Sequence, residues 1–215
     1  GGVMELVDIC REAGVPPGVV NLLSGDPPSI ASQLISSDII KKISITGSTR
    51  VGKLIFKQAA EKVQRVTMEL SGHAPFIVFD DANIEKATDM AIASKFRNNG
   101  QVCISPSKFY IQDKMKKDFV NLFVEKTKKL KIGNGSDNNT DVTPLISTEQ
   151  LQRVSNYCQS GVQSGAELII GGEKHDQENG NYYKPTIFDN VDPKSTIAQE
   201  EIFGPVTSIF NFETE

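Results

Sequence analysis

The stretch that most constrains this chain runs from Lys42 to Leu70. A β-branched run, Lys42-Ile43-Ser44-Ile45-Thr46, is followed by the turn Gly47-Ser48-Thr49, a helical pattern from Arg50 to Lys62, and a second strand-like run from Arg65 to Leu70. Two strands joined by a helix of that length read as a βαβ unit, and such units build parallel sheets. The surrounding sequence continues the alternation. Val3 to Ala13 reads as a helix with Leu6, Val7, Ile9 and Cys10 on its apolar side, stopped by Gly14 and Pro16-Pro17-Gly18. Val19 to Leu23 is apolar and β-branched enough for a buried strand, and a further helix is expected around Ser29 to Ser36.

After Gly72 the character shifts. Strands are expected at Pro75 to Phe79, Lys108 to Gln112, Glu167 to Ile170, Tyr182 to Phe188 and Thr207 to Phe212. Helices are expected from the Asp80-Asp81-Ala82-Asn83 cap to Phe96, from Lys114 to Leu130 and from Thr148 to Ser164, with surface loops over 133–139 and 171–181. The expected fold class is therefore α/β in two domains, with the boundary near 70–72. Residues 1–70 open on a helix, whereas a doubly wound dinucleotide-binding domain normally opens on a strand. They are expected to be the later part of a Rossmann-like parallel-sheet cofactor domain.

Composition narrows the setting. A formal charge of −4 leaves no basic footprint for nucleic acid. The lysines between Lys114 and Lys131 alternate with Asp113, Asp118 and Glu125 and read as a solvated helix face. No run approaches the ~18 apolar residues of a membrane span, and the first residues lack the basic-then-apolar order of a secretory signal. Three cysteines without a pairing pattern suit a reducing, cytoplasmic compartment.

The turn itself imitates another motif. Gly47-Ser48-Thr49-Arg50-Val51-Gly52-Lys53 matches the first seven positions of a phosphate-binding P-loop, but the eighth is Leu54 rather than a magnesium-holding Ser or Thr. That argues against a nucleotide triphosphatase. Two readings stay open: a tight strand-to-helix turn without a ligand, or a helix N-terminus whose amides, with the Ser48 hydroxyl, hold a dinucleotide's pyrophosphate.

Cys10 and Cys158 sit in apolar helical patterns and read as packing residues. Cys103 follows Asn98-Asn99-Gly100-Gln101, where a helix stops and a turn can expose it. A thiolate attacks carbonyl carbon readily. His73 has no evident orienter and His175 lies in a polar loop, so a cysteine–histidine hydrolase is poorly supported, and the two His and three Cys lack metal-ligand spacing. Glu69, at the carboxyl end of a strand and at the expected domain junction, lies where α/β folds place ligands. A surface glutamate at a strand end remains the alternative on these grounds.

Four segments taken together resemble the NAD(P)-dependent aldehyde dehydrogenase superfamily: Ile45-Thr46-Gly47-Ser48-Thr49-Arg50-Val51-Gly52, Glu69-Leu70-Ser71-Gly72, Gly100-Gln101-Val102-Cys103 and Glu200-Glu201-Ile202-Phe203-Gly204-Pro205-Val206. The resemblance implies a cofactor domain followed by a C-terminally truncated catalytic domain of the aldehyde dehydrogenase type over 71–215. It implies NAD or NADP as cofactor, with Gly47 and Ser48 at the pyrophosphate, Val51 beside the adenine, Leu70 near the carboxamide, and Glu201 and Phe203 at the nicotinamide ribose. Cys103 would be the nucleophile that forms a thiohemiacetal and then a thioester, and Glu69 the base that activates the hydrolytic water. Metal is not implied.

The run from Gly72 to Ala82 looks most like the succinate-semialdehyde dehydrogenase branch, where Arg97 matches an arginine that binds the distal carboxylate of the substrate, with Gln101 also on the substrate side. A guanidinium suits a carboxylate because it donates two parallel hydrogen bonds; an ordinary surface or inter-domain ion pair is the alternative for Arg97. Ser105 stands where some members carry a second cysteine, so no disulfide switch is expected. Ser71 departs from the family's usual glycine, and its side chain is expected to restrict the swing of Glu69. The family's oxyanion asparagine, adenine-ribose residues and oligomerisation strand have no counterpart here, and Asn98 and Asn99 do not replace the first. Loss of one oxyanion donor typically costs ~10²–10³ in rate. The 215 residues alone are expected to be inactive while a longer, homo-oligomeric parent is active. A truncated, non-catalytic relative that keeps the fold is the rival reading.

Overall fold

The computed structural model describes residues 1–176 and 180–214. The loop expected over 171–181 passes through 177–179, which lie outside the described residues. The chain divides into two compact units, Gly1–Leu70 and Ser71–Glu215.

In the first unit, α1 (Gly2–Glu12) and α2 (Pro27–Ser36) precede β1 (Lys42–Thr46), α3 (Thr49–Ala60) and β2 (Arg65–Glu69). Asp26 caps α2 by accepting from the Ser29 amide at 3.0 Å, and Pro27, which has no amide hydrogen to lose, begins the helix. β1 and β2 pair in parallel from Lys42 opposite Arg65 to Thr46 opposite Glu69, with α3 as the crossover. Ile43, Ile45, Val66 and Met68 share one half-buried face, while Lys42, Ser44, Arg65 and Thr67 occupy the exposed one.

The strand expected at Val19 to Leu23 does not form. Val19 and Leu23 are 66% and 64% exposed, and the run joins neither sheet. β-branched residues favour an extended chain, but a strand also needs a neighbour to bond its amides and carbonyls, and this run has none among the described residues.

The second unit is a five-stranded sheet in the order β3-β4-β7-β6-β5: Pro75–Val78, Lys108–Gln112, Val206–Phe212, Thr186–Asp189 and Glu167–Ile170. β3, β4, β7 and β6 are mutually parallel, and β5 is antiparallel at the edge. Period-two alternation divides its side chains into two cores. Phe109, Ile111, Ile187 and Ile209 meet Ala91 and Phe96 of α4 (Ile84–Phe96) and Phe119 and Phe123 of α5 (Asp113–Lys128). Phe188, Val206 and Phe210 meet Leu151, Val154 and Cys158 of α6 (Thr148–Gln163) and Ile197 of α7 (Thr196–Gln199). Phe109 stacks on both Phe76 and Phe123, at 5.0 and 5.5 Å between ring centroids.

Tyr182 to Phe188 is strand only from Thr186 onward. Pro185 has no amide to give to a ladder, and Tyr183 makes only an isolated bridge to Lys174. Helix α7, four residues long, is too short to show a periodicity in the sequence. Among the described residues, no helix is long and apolar enough to cross a membrane.

Candidate active site

The loop that carries Cys103 starts from a firm anchor. Phe96, the last residue of α4, is 2% exposed and stacks over Phe123. The chain then leaves the helix through three successive left-handed residues: Asn98, Asn99 and Gly100, with φ of 49°, 56° and 71°. Asparagine tolerates this region better than most residues, and glycine reaches it without cost. At Gly100 there is no choice, because a Cβ there would lie 2.2 Å from the Gly204 carbonyl oxygen.

Side chains finish the turn. Asn99 donates to the Thr143 carbonyl at 2.8 Å, and Asn98 to the Gln101 carbonyl at 3.0 Å. Gln101 donates to the Asn98 carbonyl at 3.2 Å and accepts from the Ile146 amide at 2.9 Å. Both ends of the Gln101 amide are thus engaged with the main chain. It braces the loop in this conformation.

Downstream, the Ser105 hydroxyl donates to the Lys95 carbonyl at 3.3 Å and the Ser107 amide to the Ala74 carbonyl at 3.3 Å. Between these ties Cys103 is exposed, while Cys10 is half-buried and Cys158 is buried. Burial raises the Cys158 thiol to about 11, which makes it an inert packing group. Arg97 is exposed at the end of α4.

A second loop approaches the first through Gly204. Phe203 takes a φ of 54°, an unusual conformation for an aromatic residue. Helix α6 secures it: Gln150 Nε2 donates to the Ile202 and Phe203 carbonyls at 3.1 and 2.8 Å, and Arg153 donates to the Glu201 carbonyl at 3.1 Å. The Glu201 carboxylate accepts from the Gly72 amide at 3.1 Å. Gln150 and Arg153 were missed from sequence. Their spacing of three puts them on one helix face, but their acceptors are backbone carbonyls some 50 residues away.

Two basic side chains sit nearby, one buried and one half-buried. Lys95 is 1% exposed and burial holds its amine down at about 7. Burial, then the charges of Lys108 and Lys95, hold the half-buried His73 down to about 4, against a backbone hydrogen bond with Gln199 that pulls the other way. His73 Nε2 is buried without a hydrogen-bond partner. An imidazole held down to about 4 is a weak proton acceptor. Among the described residues, no group of three His, Cys, Asp or Glu side chains is placed to hold a metal ion.

In the first unit, Glu69 is the exposed last residue of β2, and its carbonyl accepts from the Gly47 amide at 3.0 Å. The Ser48 hydroxyl caps α3 by accepting from the Val51 amide at 3.3 Å. A Cβ on Gly52 would lie 2.6 Å from Leu70 Cδ2, so the glycine lets Leu70 pack against α3. These residues lie at the carboxyl ends of β1 and β2, the end where α/β folds bind ligands. A concavity of about 600 Å³ lined by Ser37, Asp38, Lys41, Lys62 and Arg65 lies at the opposite ends of the two strands. A dinucleotide fits the donors present. The first turn of α3 has no acidic residue, and only Ile45 Cδ1, at 4.0 Å, comes near a Cβ built on Gly47. The start of α3 thus carries no acidic side chain to oppose an anion at its N-terminus.

The model of the aldehyde dehydrogenase family matches residues 2–215. The chain belongs to the aldehyde dehydrogenase family. It is 37% identical over 212 residues to the NADP(+) succinate-semialdehyde dehydrogenase GabD of Escherichia coli, a match covering 99% of this chain and 44% of that protein. It is also 37% identical, over the same shares, to the glutarate-semialdehyde dehydrogenase of Pseudomonas putida. The crystal structure of an NAD-dependent aldehyde dehydrogenase from Sinorhizobium meliloti superposes with a TM-score of 0.96 at 37% identity, covering 99% of this chain and 42% of that one. The aldehyde dehydrogenase chain described here thus spans less than half the length of these relatives.

Proposed function

We propose that the whole protein oxidises an acidic semialdehyde, of the succinate-semialdehyde type, to its carboxylate with NAD or NADP. One observation carries this reading: of the three cysteines, only Cys103 is exposed, on a turn whose backbone is held at several points. The relatives named for succinate and glutarate semialdehydes support the substrate class.

In this reading Cys103 Sγ adds to the aldehyde carbon. A C–S bond forms, the carbonyl π electrons move to oxygen, and the carbon becomes tetrahedral, ready to lose hydride. When bound, NAD or NADP supplies the hydride acceptor. Gly47 and Ser48 would hold its pyrophosphate, Val51 would lie beside the adenine, Leu70 near the carboxamide, and Glu201 and Phe203 at the ribose. The thioester that remains on Cys103 is opened by water. Glu69 takes a proton from that water, oxygen adds to the acyl carbon, the C–S bond breaks, and the thiolate leaves with its electron pair. General base help of this kind is worth on the order of 10²–10⁴ in rate. The exposed Arg97 guanidinium meets the distal carboxylate of the substrate.

The test is Arg97→Leu in the full-length protein, comparing kcat/KM for succinate semialdehyde and for a neutral aldehyde of similar length. Loss of a charge-assisted pair predicts a drop of roughly 10- to 100-fold for the acidic substrate only. An unchanged ratio between the two substrates rules out this role for Arg97.

A further inference from the structure

Gly72 joins two candidate groups that are far apart in sequence. Its amide donates to Glu201 Oε1 at 3.1 Å, across 129 positions. On the side of its missing Cβ stands the Cys103 main chain: a Cβ on Gly72 would lie 2.1 Å from the Cys103 carbonyl oxygen and 3.2 Å from the carbonyl carbon. Both atoms belong to backbone, so no rotamer change relieves the clash. One residue therefore touches the nucleophile's main chain and holds the carboxylate of the residue proposed to meet the ribose.

Neither neighbour has much freedom to absorb a displacement. The main chain at Glu201 is held through its carbonyl by Arg153, and the next two carbonyls are held by Gln150. Across from it, the Cys103 loop is fixed by Gln101 to Ile146, by Asn99 to Thr143, and by the close approach of Gly100 to Gly204. What can still turn is the Glu201 carboxylate, and its turning is constrained by the Gly72 amide.

We propose that Gly72 is a positioning residue that couples a ribose bound at Glu201 to the placement of Cys103. The inference rests on the reading of Glu201 as a ribose ligand. A carboxylate accepts hydrogen bonds through both oxygens. With Oε1 on Gly72, Oε2 takes a hydroxyl, and the shift of Glu201 that follows is transmitted through Gly72 to the Cys103 carbonyl. Coupling of this kind changes the state of the thiol when ribose is present, before any aldehyde arrives.

The experiment measures the rate at which iodoacetamide alkylates Cys103 in the full-length protein, at saturating ADP-ribose and at saturating ADP. ADP-ribose carries the terminal ribose but no nicotinamide ring to shield the thiol; ADP lacks that ribose. The two rates are expected to differ by about 5-fold or more in the parent, the lower end of ordinary coupling between sites. The difference is expected to vanish in Gly72→Ala and in Glu201→Ala, and to survive in Glu201→Gln, whose side-chain carbonyl still accepts from Gly72. Should Gly72→Ala fail to fold, Glu201→Ala decides alone. Equal rates in the parent, or a difference that persists in Glu201→Ala, overturn the coupling. Failure of the enzymatic reading shows separately, as a parent that oxidises no aldehyde with either dinucleotide.

Discussion

The two units bury their apolar residues to different depths. Among residues 1–70 only Ile35, Gly52 and Ala59 are buried, and Val3, Leu6 and Leu23 remain about 60% exposed. Residues 71–215 enclose two cores, one with Phe96, Phe109, Phe119 and Phe123 and the other with Tyr183, Phe188 and Phe210. Chemistry that needs a fixed backbone belongs on the second kind of support. Cys103 is there, on a turn whose φ angles, side-chain bonds and close contacts all agree. Within these 215 residues Glu69 ends a two-stranded sheet with its side chain exposed.

This contrast makes function separable from folding at both residues. In the full-length protein Cys103→Ala should lower turnover by roughly 10⁴-fold or more. Glu69→Gln should lower it by about 10²–10⁴-fold. In the 215-residue chain both side chains are exposed, so neither change should move its unfolding stability by more than about 0.5 kcal/mol. Stopped-flow kinetics tell the two apart. Glu69→Gln should keep a first-turnover burst of reduced dinucleotide and lose the steady state, whereas Cys103→Ala should lose both. A burst in Cys103→Ala would end its assignment as the nucleophile.

Stability should show the reverse ordering. Phe123→Ala removes a ring that stacks on Phe96 and Phe109 and contacts Phe119, and should cost about 3–5 kcal/mol in urea unfolding. In the 215-residue chain Leu6→Ala, at a side chain 59% exposed, should cost less than about 0.5 kcal/mol. Comparable costs at the two positions would contradict the difference between the units.

The same division explains what could be read from the sequence. Lys42–Thr46, Lys108–Gln112 and Glu167–Ile170 form strands with the limits expected of them, because each run finds a pairing partner. Val19 to Leu23 has equally good strand residues and forms none, since composition does not supply a neighbour. The exposure of Cys103 followed from Asn98-Asn99-Gly100, local signals of a left-handed turn. The Gly72 bond to Glu201 and the grip of Gln150 on Phe203 are tertiary contacts between distant segments. Nothing local to Gly72 or Gln150 announces them.

The basic side chains behind the Cys103 loop give effects smaller than that of Phe123. Lys95 titrates at about 7 in the folded chain against 10.5 when exposed. Between those values the unfolded chain binds the extra proton, so stability should rise as pH increases from 7 to 10.5. Lys95→Met keeps most of the volume and removes the buried amine. It should raise stability at pH 7 by on the order of 2 kcal/mol and abolish the alkaline rise. Unfolding curves at pH 7 and 9.5 test both. Were Lys95→Met to destabilise the protein at pH 7, burial of the amine would not be the cost that its lowered value indicates.

His73 should produce the smallest shift, because it is only half-buried. Its folded value of about 4 lies below the ordinary 6.5, so the unfolded chain takes up the proton first as pH falls. Stability should therefore be intact above pH 6.5 and decline from there toward pH 4. The groups behind this are specific: Lys95 and Lys108 oppose a charged imidazole, and burial disfavours it further. His73→Asn should flatten the decline between pH 6.5 and 4 while leaving the alkaline limb of Lys95 in place. If His73→Asn also removed the alkaline limb, the imidazole and the amine would titrate as one coupled unit. If the acid decline kept its full slope, the proton taken up on unfolding would belong to carboxylates rather than to His73.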